Sequence, residues 1–153
     1  MDEDVLAFVV QFHSYRDYFE CHEILEERWK QDPPETRQLH WVALIQIAVA
    51  QYHYRRQNLT GAQRMLDRAL EKTRHQAQAL EKLGFKTPGL IQCLEKQLSV
   101  MKAGLPYESI RLPMEGFLIQ GAEEVCRQQG ILLYRDSDLQ DQRILNRHLA
   151  IHR

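Results

Sequence analysis

The sequence predicts an all-α protein: an antiparallel bundle of about five helices over residues 1–104 and a partly helical C-terminal extension over residues 105–153. Apolar residues recur at three- and four-residue spacing through most of the first 104 positions. Proline, glycine and asparagine stand mainly between those stretches, and the short breaks that result are typical of antiparallel neighbours. At roughly 100–200 residues per domain, a chain of 153 residues predicts one bundle domain with the extension packed on or beside it.

The first predicted helix covers residues 5–13, where apolar residues fall at i, i+3, i+4 and i+7. Ser14 and Asp17 have the spacing of a capping pair, so a second helix is expected from Asp17 to about Gln31. Asp32-Pro33-Pro34 ends that helix, because proline lacks a backbone donor and restricts the residue before it.

Thr36 is the expected cap of a third helix that continues to about Gln57. Residues 58–61 form the next break, and Thr60 is the expected cap of a fourth helix. Gly84 ends the fourth helix, since glycine adopts the left-handed backbone conformation that often follows a helix.

A fifth helix is expected to begin at Thr87-Pro88, with Thr87 as its cap and proline at the first helical position, and to end at Gly104. The pattern weakens after that glycine. The extension is expected to be extended over residues 105–113, helical over 116–129 and 137–152, and either strand or buried helix over 131–134.

Composition excludes several classes of protein. A net charge of −1 excludes a globally basic protein that bulk charge holds on nucleic acid. The longest apolar run, residues 41–50, is about half of the ~20 residues that a transmembrane helix needs, and the acidic N-terminus does not resemble a secretory signal. Cys21, Cys93 and Cys126 lack a CxxC pair and indicate reduced thiols. A cytoplasmic protein without a membrane anchor is expected.

Charge is unevenly distributed along the chain. Residues 1–30 contain eight acidic and three basic side chains, and residues 55–74 contain six basic and two acidic ones. The favoured interpretation is two oppositely charged faces of one bundle, or solvated helix surfaces. The alternative is an RNA-binding face over Arg55–Arg74. That alternative is not favoured, because stacking aromatic residues and a glycine-rich phosphate loop are missing there. Its candidate contacts are Arg55, Arg56, Arg64 and Arg68.

A polar pair interrupts the apolar stripe of the second helix. His22, Glu26 and Trp29 lie at i, i+4 and i+7 and therefore share one face. An antiparallel hairpin about residues 33–34 places His22 opposite Gln46 on the third helix, with His53 further along the same stripe. Because burying an imidazole and a carboxylate without partners is costly, we expect a buried cluster of His22, Glu26 and Gln46. His53 is a further candidate member, since the hairpin pairing fixes the register only to within one helical turn.

Two interpretations of this cluster stay open. In the first, it is a structural hydrogen-bond network that fixes helix register and is covered by Trp29 and Trp41. In the second, it is a ligand or metal site: His22 and Glu26 coordinate a divalent metal, and Glu23 acts on a bound water as in a hydrolase. The HExxE pattern resembles the zinc-protease HExxH motif only loosely, and no third ligand is identifiable.

The segment from Tyr18 to Trp29 resembles the H-E-x-L-E-x-x-W motif of a small helical family, catalogued as domain of unknown function 309. Leu44-Ile45-Gln46-Ile47-Ala48, followed by Asn58-x-x-Gly61-Ala62, resembles its second motif. The resemblance covers about residues 5–75 and is strongest to longer, Bacillus-type bacterial members. It implies an all-helical fold and no established activity. The family's patterned positions correspond to His22, Glu23, Glu26, Trp29, Gln46, Asn58 and Gly61.

The leading functional hypothesis is a non-enzymatic helical interaction or scaffold domain, whose partner is another protein or a second copy of the chain. It depends on continuous helical amphipathicity and on the absence of a recognisable catalytic set. The alternatives are a metal- or small-ligand-binding protein that uses His22 and Glu26, and an RNA-associated protein that uses the basic face.

Overall fold

Residues 1–146 are described by the computed structural model and fold into eight α-helices without a β-strand, so the predicted all-α class is confirmed. Two short turns, a π-helical turn at Gln11–Tyr15 and a 3-10 turn at Pro34–Thr36, join the first helices. The helices are α1 Glu3–Val10, α2 Tyr18–Lys30, α3 Leu39–Arg55, α4 Leu59–His75, α5 Ala77–Leu83, α6 Thr87–Lys102, α7 Gly116–Gln129 and α8 Gln142–Leu145.

The third helix is central to the bundle. Helices α2 and α4 pack on either side of α3, α6 packs on α4, and α1 packs on both α2 and α7. Phe8, Phe12, Tyr18 and Phe85 are among the largest fully buried side chains of the core. Residues after position 104 contribute Leu112, Met114, Leu118 and Ala122 to the same buried cluster. No helix within residues 1–146 is long and apolar enough to cross a membrane.

The start of α2 differs from the prediction. Asp17, rather than Ser14, caps the helix: its carboxylate accepts a hydrogen bond of 3.0 Å from the backbone N–H of Glu20. Ser14 lies in the π-helical turn, where its buried hydroxyl donates to the carbonyl of Leu133 at 2.7 Å. Arg16, with φ 53°, adopts the left-handed conformation that turns the chain between the two segments.

The expected caps of the third and fifth predicted helices are also wrong. Thr36 belongs to the 3-10 turn, and α3 begins three residues later at Leu39, with no capping side chain from Gln38. Thr87 is the first residue of α6, and its hydroxyl donates to the Glu81 carboxylate at 2.6 Å instead of capping its own helix. The Thr36 hydroxyl donates to the carbonyl of Pro33 at 3.2 Å, so neither threonine accepts the backbone N–H bond that the local pattern assigns to a cap.

The fourth predicted helix is divided into α4 and α5. Asn58, rather than Thr60, caps α4: its side-chain oxygen accepts from the N–H of Gly61 at 3.1 Å. Gly61 leaves room for this cap, since a Cβ there would lie 2.6 Å from Nδ2 of Asn58 and the Asn58 side chain would have to shift. Gly84, with φ 112°, ends α5 in the left-handed conformation, as predicted for that glycine.

The C-terminal extension is only partly as predicted. Residues 105–113 lack a helix or strand, and α7 coincides with the expected helix over residues 116–129. Residues 131–134 form neither strand nor helix, and the expected terminal helix over 137–152 is reduced to α8 within the described range. Positions 147–152 of that prediction lie outside the described residues.

His13 anchors the extension to the π-helical turn. Its fully buried ring donates from Nδ1 to the carbonyl of Val9 at 2.9 Å, and Nε2 accepts from the N–H of Leu112 at 3.0 Å. The carbonyl of His13 also accepts from the N–H of Arg135 at 2.9 Å. Burial lowers the pKa of His13 to about 3, so the ring is neutral and bonded at both nitrogens.

Candidate ligand groove between α2 and α3

The outer faces of α2 and α3 enclose a half-open groove of about 720 Å³ on the side of α3 that turns away from the core. Most of its lining side chains are apolar or aromatic. They are Tyr18, Phe19, His22, Glu26 and Trp29 on α2, Leu39, Val42, Ile45, Gln46, Val49, Tyr52 and His53 on α3, and Met65 on α4.

The four residues of the predicted polar cluster all line this groove. Hairpin pairing between α2 and α3 therefore brings His22, Glu26, Gln46 and His53 to one site. The expected burial is wrong, because the His22 and Glu26 side chains are 29% and 34% exposed. Oε1 of Gln46 is buried without a hydrogen-bond partner among the described residues, and Nδ1 of His53 lies 3.4 Å from Nδ2 of Asn58.

Glu26 is the most engaged polar side chain of the groove. Its Oε2 lies 2.6 Å from Nε2 of His22, and its Oε1 accepts from Nζ of Lys30 at 2.5 Å. The hydrogen bond from Lys30 holds the pKa of Glu26 below its usual value, although partial burial opposes this shift. The carboxylate is thus charged at neutral pH and already bound on both oxygens.

Glu23 does not line the groove, although it follows the lining residue His22 on α2. Its side chain is 54% exposed, and its Oε1 lies 3.4 Å from Nδ1 of His22. The residues that the structure describes contain no group of three or more His, Cys, Asp or Glu side chains that could hold a metal ion. A structural zinc site normally has four protein ligands, so metal coordination by His22 and Glu26 stays a prediction that needs further ligands.

The two tryptophans lie on different sides of the bundle. Trp29 lines the groove, where its buried Nε1 has no hydrogen-bond partner within the described range and the guanidinium of Arg37 lies 4.9 Å from its ring centre. Trp41 is 4% exposed and packs under the guanidinium of Arg28, 4.7 Å from its ring centre. The expectation that both tryptophans cover the polar cluster is therefore wrong for Trp41.

The apolar surface of the groove was not predicted from the sequence. Val42, Ile45 and Val49 fall at i, i+3 and i+7 on α3, and all three are partly exposed. This second apolar stripe runs beside the core stripe that contains Leu44 and Ile47. A helix that is apolar on two faces is the signal that would have indicated a second, external surface.

The predicted basic face is not one surface. Arg55 is buried: Nη1 donates to the carbonyl of Arg16 at 2.6 Å, and the guanidinium lies 4.5 Å from the ring centre of Tyr18. Arg55 therefore makes structural contacts and is not available for the RNA contact that the alternative interpretation assigned to it. Arg56 is half-buried, with its guanidinium 5.5 Å from the ring centre of Tyr52, whereas Arg64 and Arg68 are exposed on α4.

The fold and the groove define an α-helical protein with an apolar external groove and a His–Glu pair on its wall. The family described as "Domain of unknown function (DUF309)" matches residues 5–65, which contain every lining residue of the groove. A protein of Bacillus subtilis (strain 168), "Uncharacterized protein YpuF", is 42% identical over 122 residues, which are 80% of this chain and 68% of that protein. The chain belongs to the DUF309 family. No solved structure matches it significantly.

Proposed function

We propose that this chain is a non-enzymatic, cytoplasmic interaction module that receives an amphipathic helix of a partner protein in the α2–α3 groove. The observation that carries the proposal is the external apolar stripe of α3, formed by Val42, Ile45 and Val49. Contiguous apolar surface of this kind, rimmed by polar residues, is typical of a protein–protein interaction site.

The length of the groove fits a short helix. From Tyr18 to Trp29, α2 rises about 17 Å, which equals about three turns of a docked helix. Recognition of a helix in a groove depends on apolar side chains at i, i+3, i+4 and i+7 of the guest. Phe19 and Met65, on opposite walls, flank the α3 stripe and provide the apolar sides that such a guest requires.

The two rims of the groove differ in charge. Glu23 and Glu27 are exposed on α2, next to the lining residues His22 and Glu26. Arg64 and Arg68 are exposed on α4, where Met65 lines the groove. A guest helix with basic residues along one flank and acidic residues along the other is therefore complementary to the groove. This pattern also fixes the orientation of the guest, because reversing it would place like charges opposite each other.

Two polar atoms in the groove side chains favour a guest that carries hydrogen-bonding groups. Nε1 of Trp29 is an unpaired donor and Oε1 of Gln46 is an unpaired acceptor within the described structure. An unsatisfied buried polar group costs about 1–3 kcal/mol. A guest that brings one acceptor and one donor to these side chains would recover part of that cost.

Site-specific cross-linking tests the proposal. A photoreactive amino acid at Ile45 is expected to capture one protein in cells, and mass spectrometry is expected to place the cross-link in an amphipathic helix of that protein. A synthetic peptide of that segment should bind the purified chain. Ile45→Glu should weaken peptide binding about tenfold or more, as expected for a charge buried in an apolar contact.

Leu132→Glu is the matched control, because Leu132 is 76% exposed and lies outside the groove. This variant should bind the peptide like the wild type, and circular dichroism should show that both variants stay folded. A cross-link to a second copy of this chain, together with a dimer in sedimentation equilibrium, would contradict a partner protein in the groove and indicate self-association. Capture of no protein, or equal weakening by both variants, would refute the docking site.

A further inference from the structure

A second cavity, of about 780 Å³, lies at the end of the bundle where α2 ends, α3 begins and α4 meets α5. It shares no lining residue with the α2–α3 groove. Ala77, Ala79 and Leu83 form an apolar wall, and the other lining side chains are mostly polar or charged. This lining is more polar than that of the groove, so we expect a more polar ligand here.

Positive charge predominates in this cavity. Arg28, Arg74 and Lys82 line it, and Asp2 is its one lining carboxylate within the described residues. Nη1 of Arg28 is already paired with two carboxylates, Asp2 at 2.9 Å and Asp4 at 2.8 Å, so Arg28 adds no free positive charge. Arg74 has a long contact of 3.6 Å with Glu95, which does not line the cavity. Arg74 and Lys82 are therefore the cations that can attract an anion into the cavity.

The N-terminus of α3 opens at the same cavity. This helix has 17 residues, and Gln38, which precedes it and lines the cavity, makes no side-chain cap. The first N–H groups of an α-helix lack partners within the helix, and the helix dipole makes that end positive. Phosphate groups bind at such ends when side chains complete the site.

His40 is the side chain that completes it. It lies in the first turn of α3, lines the cavity and is only 6% exposed. Nε2 of His40 has no hydrogen-bond partner among residues 1–146. A buried imidazole nitrogen without a partner is unfavourable, so a ligand that accepts a hydrogen bond there would be stabilised.

We infer that this cavity binds a small organic phosphate, with the phosphate held by the α3 N-terminus, His40 and Arg74. Lys82 adds charge, and the apolar wall of Ala77, Ala79 and Leu83 receives the organic part. Free phosphate shares the charged contacts and lacks the contact with that wall. An organic phosphate is therefore expected to bind more tightly than inorganic phosphate.

Titration of the full chain with inorganic phosphate, pyrophosphate and glycerol 3-phosphate, at constant ionic strength, tests the inference. Calorimetry gives the affinities, and the ring signals of His40 in NMR spectra locate the site. We expect saturable binding, shifted His40 signals and a stronger interaction with glycerol 3-phosphate than with inorganic phosphate. Arg74→Gln should weaken binding about tenfold, because a charge-assisted hydrogen bond is lost.

Arg64→Gln is the matched control, since Arg64 is exposed on the same helix and does not line the cavity. It should leave the affinity unchanged, as should the groove variant Ile45→Glu. Equal weakening by Arg64→Gln would show nonspecific charge attraction and overturn the inference. Binding that does not saturate at about 10 mM glycerol 3-phosphate would overturn the inference as well, because that concentration is about tenfold above a millimolar dissociation constant. So would His40 ring signals that do not shift.

Discussion

His13 shows at the scale of one residue how an ordinary titratable side chain becomes a structural element. Both ring nitrogens are hydrogen-bonded, to Val9 and Leu112, and neither is accessible to water. Protonation of the ring would add its second proton at Nε2, the atom that accepts the hydrogen bond from the N–H of Leu112. The neutral form is thus built into the fold.

The pH dependence of stability follows from this arrangement. Because the pKa of His13 falls from its usual 6.5 to about 3 on folding, the unfolded chain binds more protons between those values. Stability should therefore decrease as pH falls through that window, by about 1.4 kcal/mol per pH unit from this residue. Urea unfolding from pH 7.5 to 4.5 measures the slope.

His13→Gln is the control for that measurement. It should be less stable than the wild type at pH 7, since the ring packing is lost, yet its stability should depend less on pH. Identical slopes in the two proteins would mean that His13 does not carry the effect. Other histidines with lowered pKa values, His40 and His53, are present in both proteins and cancel in the comparison.

At the scale of the element, the first turn of α4 shows two residues that act as one cap. Oδ1 of Asn58 accepts from the N–H of Gly61, and the same side chain fills the space where a Cβ at position 61 would lie. Glycine inside a helix lowers its stability by about 1 kcal/mol relative to alanine. Here the glycine leaves room for the Asn58 cap, and such a cap stabilises a helix by about the same 1 kcal/mol.

A double-mutant cycle tests this coupling. Asn58→Ala should destabilise the chain by about 1 kcal/mol through loss of the cap. Gly61→Ala alone should change stability by less than about 0.5 kcal/mol, because improved helix propensity offsets the disturbed cap. In the Asn58→Ala background, Gly61→Ala should stabilise by roughly 0.5–1 kcal/mol. Additive effects, measured by urea unfolding, would contradict the coupling.

At the scale of the whole molecule, a network of hydroxyl groups connects the groove to the C-terminal extension. The hydroxyl of Tyr18, whose ring lines the groove, is hydrogen-bonded to that of Tyr107. Tyr107 also bonds Oγ of Ser137 at 2.8 Å, and the guanidinium of Arg55 lies over the ring of Tyr18. The extension is thus tied to residues within the family-matching segment.

Tyr107→Phe tests how much this connection contributes. Removing a hydroxyl that bonds Tyr18 and Ser137 should destabilise the chain by about 1–2 kcal/mol. Hydrogen exchange should become faster at the N–H groups of Leu112 and Arg135, which hold the extension on His13. An unchanged exchange rate at both amides would show that the extension is held independently of Tyr107.

Tyr15→Phe is the matched control for that variant. The Tyr15 hydroxyl is exposed and bonds the amide oxygen of Gln129 at 2.6 Å. Its removal should change stability by less than about 0.5 kcal/mol, as is usual for a surface position.

Several features of the molecule could be predicted from residue order alone. Helical periodicity and the breaks at prolines and glycines located most of the helices, since they depend on spacing of three and four residues. A short connection also forces α2 and α3 into an antiparallel hairpin, which is why His22, Glu26 and Gln46 line one groove. The motif of α2 indicated the family to which the chain belongs.

Only the tertiary structure decided the environment of each side chain. Arg55 is buried and Arg64 is exposed, although both lie in the same basic stretch of sequence. Ser14 bonds Leu133, 119 residues away, instead of capping the helix beside it. The sequence determined the helices and their hairpin pairing, because those depend on neighbours in the chain. Burial, charge pairing and hydrogen-bond partners depend on groups that only folding brings together.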